Sequence, residues 1–158
     1  MADASRIARI STVFACSAAE LWAELGRPQS LQYVSAPLLR FSPEKPGELD
    51  APWATGKTYE LRLYFLGFVP LGKHRIRLVR LDRKRNLIES RESGTLARVW
   101  NHTIRFNPVT GGRVEYTDEI EIEAGALTLF VLAFAHVFYR HRQRRWKTLL
   151  ARARSAKE

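Results

Sequence analysis

Residues 113–152 read RVEYTDEIEIEAGALTLFVLAFAHVFYRHRQRRWKTLLAR, and the change of rhythm inside this stretch decides the fold. Over residues 113–123, Val114, Tyr116, Ile120 and Ile122 alternate with Glu115, Thr117, Glu119, Glu121 and Glu123. That is the period of a strand with one wet face and one buried face. After Gly125 the apolar spacing becomes helical and holds to about Arg152. A helix of roughly 26 residues is about 39 Å long at 1.5 Å per residue. An antiparallel sheet must cover its apolar face, and no other segment is long enough to do so.

The segments upstream supply the rest of that sheet. Residues 6–14 (RIARISTVF) read as a half-buried strand. Ser17-Ala-Ala-Glu20 is a capping box, Leu21, Trp22 and Leu25 form the apolar face of the helix that follows, and Gly26 stops it. Pro28 opens a second short helix, PQSLQYVS, which Pro37 closes. Residues 42–56 hold three prolines and two glycines and read as a long loop. Strands are then expected at 58–65, 73–81, 87–93 and 97–106, with turns at 67–72, 82–86 and 107–112 and a corner at Gly94. The expected architecture is α+β: a curved antiparallel sheet of about seven strands around a long C-terminal helix, with two short helices after the first strand. One domain covers 6–152, between tails at 1–5 and 153–158.

Composition limits the function classes. The 158 residues are 46% hydrophobic and 27% charged, a balance that supports a packed core rather than disorder. A single cysteine, Cys16, excludes an internal disulfide and reads as a small buried residue. MADASRIARISTVF lacks the apolar run and cleavage site of a signal peptide, so a cytoplasmic address is expected. The apolar stretch 124–139 falls short of a membrane span and reads as a buried helix. The net charge of +10 comes largely from residues 140–157, RHRQRRWKTLLARARSAK. Trp146, Leu149 and Leu150 interleave there at helical spacing, so this reads as the solvated face of an amphipathic helix end. Nucleic acid is not expected as a partner, and a membrane surface is not the favoured one.

The order of elements and several local motifs resemble the helix-grip superfamily, the SRPBCC group of START lipid-transfer domains, the birch-pollen allergen and aromatic polyketide cyclases. The resemblance covers about residues 6–152. It rests on Ala-Arg-Ile-Ser-Thr-Val-Phe, Ser-Ala-Ala-Glu-Leu-Trp and Gly-Lys-Thr-Tyr-Glu. Phe-Leu-Gly-Phe-Val-Pro-Leu-Gly-Lys-His at 65–74, Val-Trp-Asn-His at 99–102 and residues 135–146 are similar to bacterial members of unassigned function. The resemblance implies a cavity for a hydrophobic ligand, and it carries over no catalytic residue.

Hairpin register then indicates which side chains face inward. The turn at 82–86 sets Ile76 opposite Glu92 and Leu78 opposite Ser90. The Gly94 corner brings Glu92 near Trp100 and Ser90 near His102. The turn at 107–112 sets His102 opposite Asp118 and Trp100 opposite Ile120. Candidate ligand-binding residues are therefore Tyr59, Leu61, Leu63, His74, Ile76, Ser90, Glu92, Trp100, His102, Tyr116, Asp118, Phe134 and Phe138. His102 held by Asp118 is the candidate general acid/base, and the favoured reading of the same two residues is a cross-strand pair that fixes register or orients a ligand's polar end. Ser90 lacks the Gly-x-Ser-x-Gly elbow of a hydrolase, and no ligand spacing implies a metal or another cofactor.

Three functions are open to such a chain. It binds, and possibly transports, a lipid, isoprenoid or aromatic compound; or it is a cyclase or dehydratase using His102 and Asp118; or it meets a membrane surface or regulatory partner through Arg142, Arg144 and Arg145. Non-enzymatic binding is the favoured one. The first half of the long helix is apolar all round, so a second subunit is a further expected partner, as a homodimer.

Overall fold

The capping box at Ser17 forms as read. The Glu20 backbone N–H donates to Ser17 Oγ at 3.1 Å, and the Ser17 N–H donates to Glu20 Oε2 at 2.7 Å. In the computed structural model, which describes residues 4–158, this box opens α1 (Ala18–Leu25), and Pro28 opens α2 (Pro28–Ser35). Both helices follow β1 (Arg6–Phe14). The chain continues through β2 (Leu39–Pro43), β3 (Thr58–Phe65), β4 (Val69–Asp82), β5 (Leu87–Gly94), β6 (Val99–Val109) and β7 (Arg113–Glu123). A single 3₁₀ turn at Gly125–Leu127 leads into α3 (Thr128–Ser155). The seven strands form one antiparallel sheet in the order β1-β7-β6-β5-β4-β3-β2. The sheet grips α3, as the alternation in β7 required.

Four local readings are corrected. β2 falls in residues read as unassigned chain and loop; five residues ending at Pro43 are too short to show a period, and an edge strand tolerates proline. The chain reverses at Leu66–Phe68, not at 67–72, with Leu66 and Gly67 at φ 53° and 82°. Gly72 instead sits beside a bulge in the β3–β4 ladder, where an added Cβ would come within 2.4 Å of Thr95 Oγ1. β6 runs on through Pro108 to Val109, so the final hairpin turns at Thr110–Gly112. His102 therefore lies opposite Ile120, Asp118 opposite Ile104 and Trp100 opposite Ile122. The slip is two residues, an even number, so every side chain stays on the face expected.

The helix divides along its length. Val131, Ala135, Phe138, Tyr139, Arg142, Gln143, Trp146 and Leu150 are buried against the sheet and the short helices. On the opposite side Leu129, Phe130 and Val137 are exposed, so residues 124–139 are a buried helix on one side only. No helix among the described residues is long and apolar enough to cross a membrane. The basic run 140–157 is not one solvated face either. Arg145 donates twice to the Tyr33 carbonyl and lies 4.0 Å over its ring. Arg140 donates to the Ser11 carbonyl, and Arg142 is buried.

Candidate functional site

Between the concave face of the sheet and α3 lies a cavity of about 90 Å³. β4, β5 and β6 bring Ile76, Leu78, Ile88, Trp100 and Ile104 to it through their period-two alternation. α1, α2 and β2 add Leu25, Leu31, Leu39 and Phe41, while Trp53 comes from the long loop. α3 contributes Phe138, Tyr139, Arg142 and Trp146, the one-turn spacing of a single helix face. His74, Ser90, Glu92 and His102 supply the remaining polar lining.

Of the residues expected there, Leu63, His74, Ile76, Ser90, Glu92, Trp100, His102 and Phe138 line the cavity. The other five sit around it. Tyr59 packs edge-on to Trp53 at 4.7 Å, and Leu61 is wholly buried. Phe134 stacks on Phe138 from outside, with ring centroids 5.8 Å apart. Tyr116 and Asp118 share the inward face but lie behind His102, where they have no exposed surface.

Two carboxylate–histidine pairs organise the polar wall. His102 Nε2 donates to Asp118 Oδ1 at 2.7 Å, and Tyr116 Oη donates to the same oxygen at 3.0 Å. Gln143 Nε2 donates to Asp118 Oδ2 at 3.0 Å and to the Ile10 carbonyl at 2.8 Å, which ties α3 to β7 and β1. His74 Nε2 donates to Glu92 Oε1 at 2.9 Å, and Ser90 Oγ to Glu92 Oε2 at 2.5 Å. Gly94 makes this second pair possible, because it faces His74 across the ladder and an added Cβ would meet the Lys73 carbonyl at 2.2 Å.

The charges follow from these contacts. Burial pushes the Asp118 carboxyl up, but the hydrogen bond and charge of His102, with Arg142 and Gln143, outweigh it and hold Asp118 below its ordinary range. Burial likewise opposes ionisation of Glu92, and the hydrogen bond and charge of His74 reverse that. Burial lifts the hydroxyls of Tyr116 and Tyr139, so both stay protonated near neutrality. For Arg142 burial favours neutrality, yet Tyr139, Asp118, Tyr116 and Glu92 together raise it, and the guanidinium stays charged. Cys16 is pushed up to about 11, first by burial, which leaves it inert.

A family model described as "Domain of unknown function (DUF8410)" matches residues 12–150. The chain belongs to the DUF8410 family. No curated protein matches its sequence. Its shape is shared more widely. A norcoclaurine synthase point mutant from Thalictrum flavum, solved with a transition-state analogue, superposes with a TM-score of 0.70 at 11% identity, covering 98% of this chain and 99% of that one. A START superfamily protein from Mycobacterium smegmatis gives 0.68 at 10% identity, covering 93% and 98%. The Zhui aromatase/cyclase from Streptomyces sp. R1128 gives 0.66 at 12% identity, covering 98% and 97%. The fold is the helix grip that these structures share.

In this DUF8410 chain the residues that sequence reasoning passed over are mainly on α3. Tyr139 accepts from Trp100 Nε1 at 3.0 Å, and its ring lies 5.0 Å from that of His102. Arg142 was grouped with the surface cations and is 6% exposed. The available signal was its four-residue spacing from Phe138 and Trp146, which puts all three on one face. His136, by contrast, points to solvent, and His141 donates to the Ala36 carbonyl at 2.7 Å. Among the described residues no cluster of three or more His, Cys, Asp or Glu side chains can hold a metal ion.

Proposed function

We propose that the protein binds one compact apolar molecule in the cavity between the sheet and α3. The observation that carries this reading is a walled space lined mostly by aliphatic and aromatic side chains, with a few polar groups gathered on one side. Its size favours a small occupant. Pockets for drug-sized ligands run to about 300–1,000 Å³, and a dry cavity of about 150 Å³ accommodates benzene. At about 90 Å³, a molecule of single-ring size enters with modest side-chain movement. A lipid or isoprenoid would need sheet and helix to part, so an aromatic or alicyclic compound is the better fit. Its affinity comes from apolar burial, at roughly 25 cal/mol per Å². Native mass spectrometry of the purified protein, with thermal shift against a panel of substituted benzenes, tests it. Binding raises Tm in proportion to ln(1 + [L]/Kd). Failure of every probe at millimolar concentration, with no co-purified ligand, overturns the reading.

A second reading rests on His102. Its Nε2 is held by Asp118, and the imidazole lines the cavity. A histidine fixed in this way takes a proton from a bound molecule and returns it, as cyclase and dehydratase chemistry requires. Protein-dependent exchange of the α-protons of cyclohexanone in D₂O, followed by NMR, is the expected signature. His102→Gln should abolish the exchange while probe binding persists. Exchange no faster than in buffer removes the enzymatic reading and leaves the binding one intact.

A further inference from the structure

The polar groups around the cavity are unevenly satisfied. Both carboxylates are fully engaged: the two oxygens of Asp118 accept from His102, Tyr116 and Gln143, and those of Glu92 from His74 and Ser90. The donors on α3 are not. Arg142 forms no hydrogen bond or ion pair with any described residue, although it lines the cavity and is only 6% exposed, and its Nε is buried without a partner. Trp146, one turn further along the same face, lines the cavity with a buried Nε1–H that also lacks a partner. Tyr139, one turn earlier, accepts from Trp100 and donates to no described residue. The Arg142 guanidinium lies 4.9 Å over the Tyr139 ring and 5.8 Å from that of Phe138, two aromatic faces that hold it at the cavity wall.

A buried guanidinium without an acceptor is strongly unfavourable, and its five donors are arranged to meet two coplanar oxygens. What the cavity lacks is therefore an acceptor, and a negatively charged one. We propose that the natural ligand is a small aromatic or alicyclic carboxylate, its ring among the apolar side chains and its carboxylate gripped by Arg142 with help from Trp146. This rests on the cavity reading above and names the class of molecule that fills it. The two cavity carboxylates oppose a bound anion in principle. Each is tied to its own histidine, however, whereas Arg142 feels Asp118 and Glu92 only through space and meets no acceptor directly among the described residues.

The probes are 4-ethylbenzoate and its neutral analogue 4-ethylbenzyl alcohol, measured against the full chain by titration calorimetry at pH 7. The wild type should bind the acid roughly tenfold or more tightly than the alcohol, since a charged hydrogen bond is at stake. Arg142→Met should erase that preference while leaving the alcohol's affinity within about threefold, and Arg142→Lys should keep part of it. Equal or tighter binding of the alcohol by the wild type overturns the anion assignment and leaves the cavity reading standing. An unchanged preference in a folded Arg142→Met variant overturns the role of Arg142. If neither probe binds and the substituted benzenes also fail, the cavity reading falls and this inference with it. The wild-type comparison needs no variant, so poor folding of Arg142→Met does not rescue the proposal.

Discussion

Asp118–His102 and Glu92–His74 are the same chemical pair, at 2.7 and 2.9 Å, set on the neighbouring strand pairs β6–β7 and β4–β5 of one wall. Their surroundings differ. Asp118 has protein on every side: its donors come from β6, β7 and α3, and Gln143 relays the contact to the Ile10 carbonyl in β1. Glu92 takes its donors from β4 and β5 alone, and Glu92, His74 and Ser90 all face the cavity. A carboxylate walled in by protein is a fastener between layers, because moving any layer leaves a buried donor unmet. One that faces open space is free to exchange partners with whatever enters. Of the two carboxylates, only Glu92 is arranged to answer to a ligand directly; Asp118 acts through the orientation of His102, which lines the cavity.

The sharpest way to break this contrast is to delete each carboxylate. Asp118→Ala strands His102, Tyr116 and Gln143 together, and the expected loss is about 3–5 kcal/mol. For a chain of this size that lowers Tm by roughly 10 °C. Glu92→Gln keeps an acceptor for Ser90 and leaves the group beside the cavity, so its loss should be about 1 kcal/mol. Equal losses in urea titrations of the two variants would remove the distinction.

Acid provides the next largest effect. Asp118 and Glu92 are both held below their ordinary range in the folded protein, the histidine contacts outweighing burial. A depressed folded pKa contributes stability that is fully present above the unfolded value and is lost as pH falls through the folded one. Stability should therefore hold down to about pH 5 and decline from about pH 4 downward. The decline should flatten in Asp118→Asn and in Glu92→Gln, each measured against the wild type by denaturant titration between about pH 5 and pH 2. An acid limb unchanged in both variants would mean that neither pair holds its proton affinity down.

How much of this was legible follows from periodicity. β7 and α3 repeat over enough residues for their buried faces to be read directly, and from them the helix-grip architecture follows. The even-numbered inner wall of β4–β6 was legible for the same reason, and a two-residue error in the last hairpin left it intact. β2 was illegible because five edge residues ending in proline carry no period. Arg142 was passed over for a different reason. In a run rich in Lys and Arg its charge looks like its neighbours', and only its helical spacing from Phe138 and Trp146 sets it apart from Arg140 and Arg144, which remain exposed. Burial of a charge is decided by packing across the fold, while alternation is written locally.

The smallest expected effect tests the contrast most finely, because it removes one hydroxyl from each pair. Tyr116→Phe deletes the donor to Asp118 Oδ1 at a fully buried site, yet that oxygen keeps His102. Ser90→Ala deletes the only donor to Glu92 Oε2 among the described residues, at a residue that lines the cavity. Counting hydrogen bonds alone, the serine should matter more. The surroundings argue the reverse. Water or a ligand in the cavity can reach Glu92 Oε2 once Ser90 is gone, whereas nothing replaces the phenol beside Asp118. Tyr116→Phe should therefore lose about 1.5 kcal/mol and Ser90→Ala no more than about 0.5 kcal/mol. Urea midpoints at constant m-value decide between them, and a larger loss in Ser90→Ala would show that the Glu92 pair is itself a fastener rather than a wall open to its occupant.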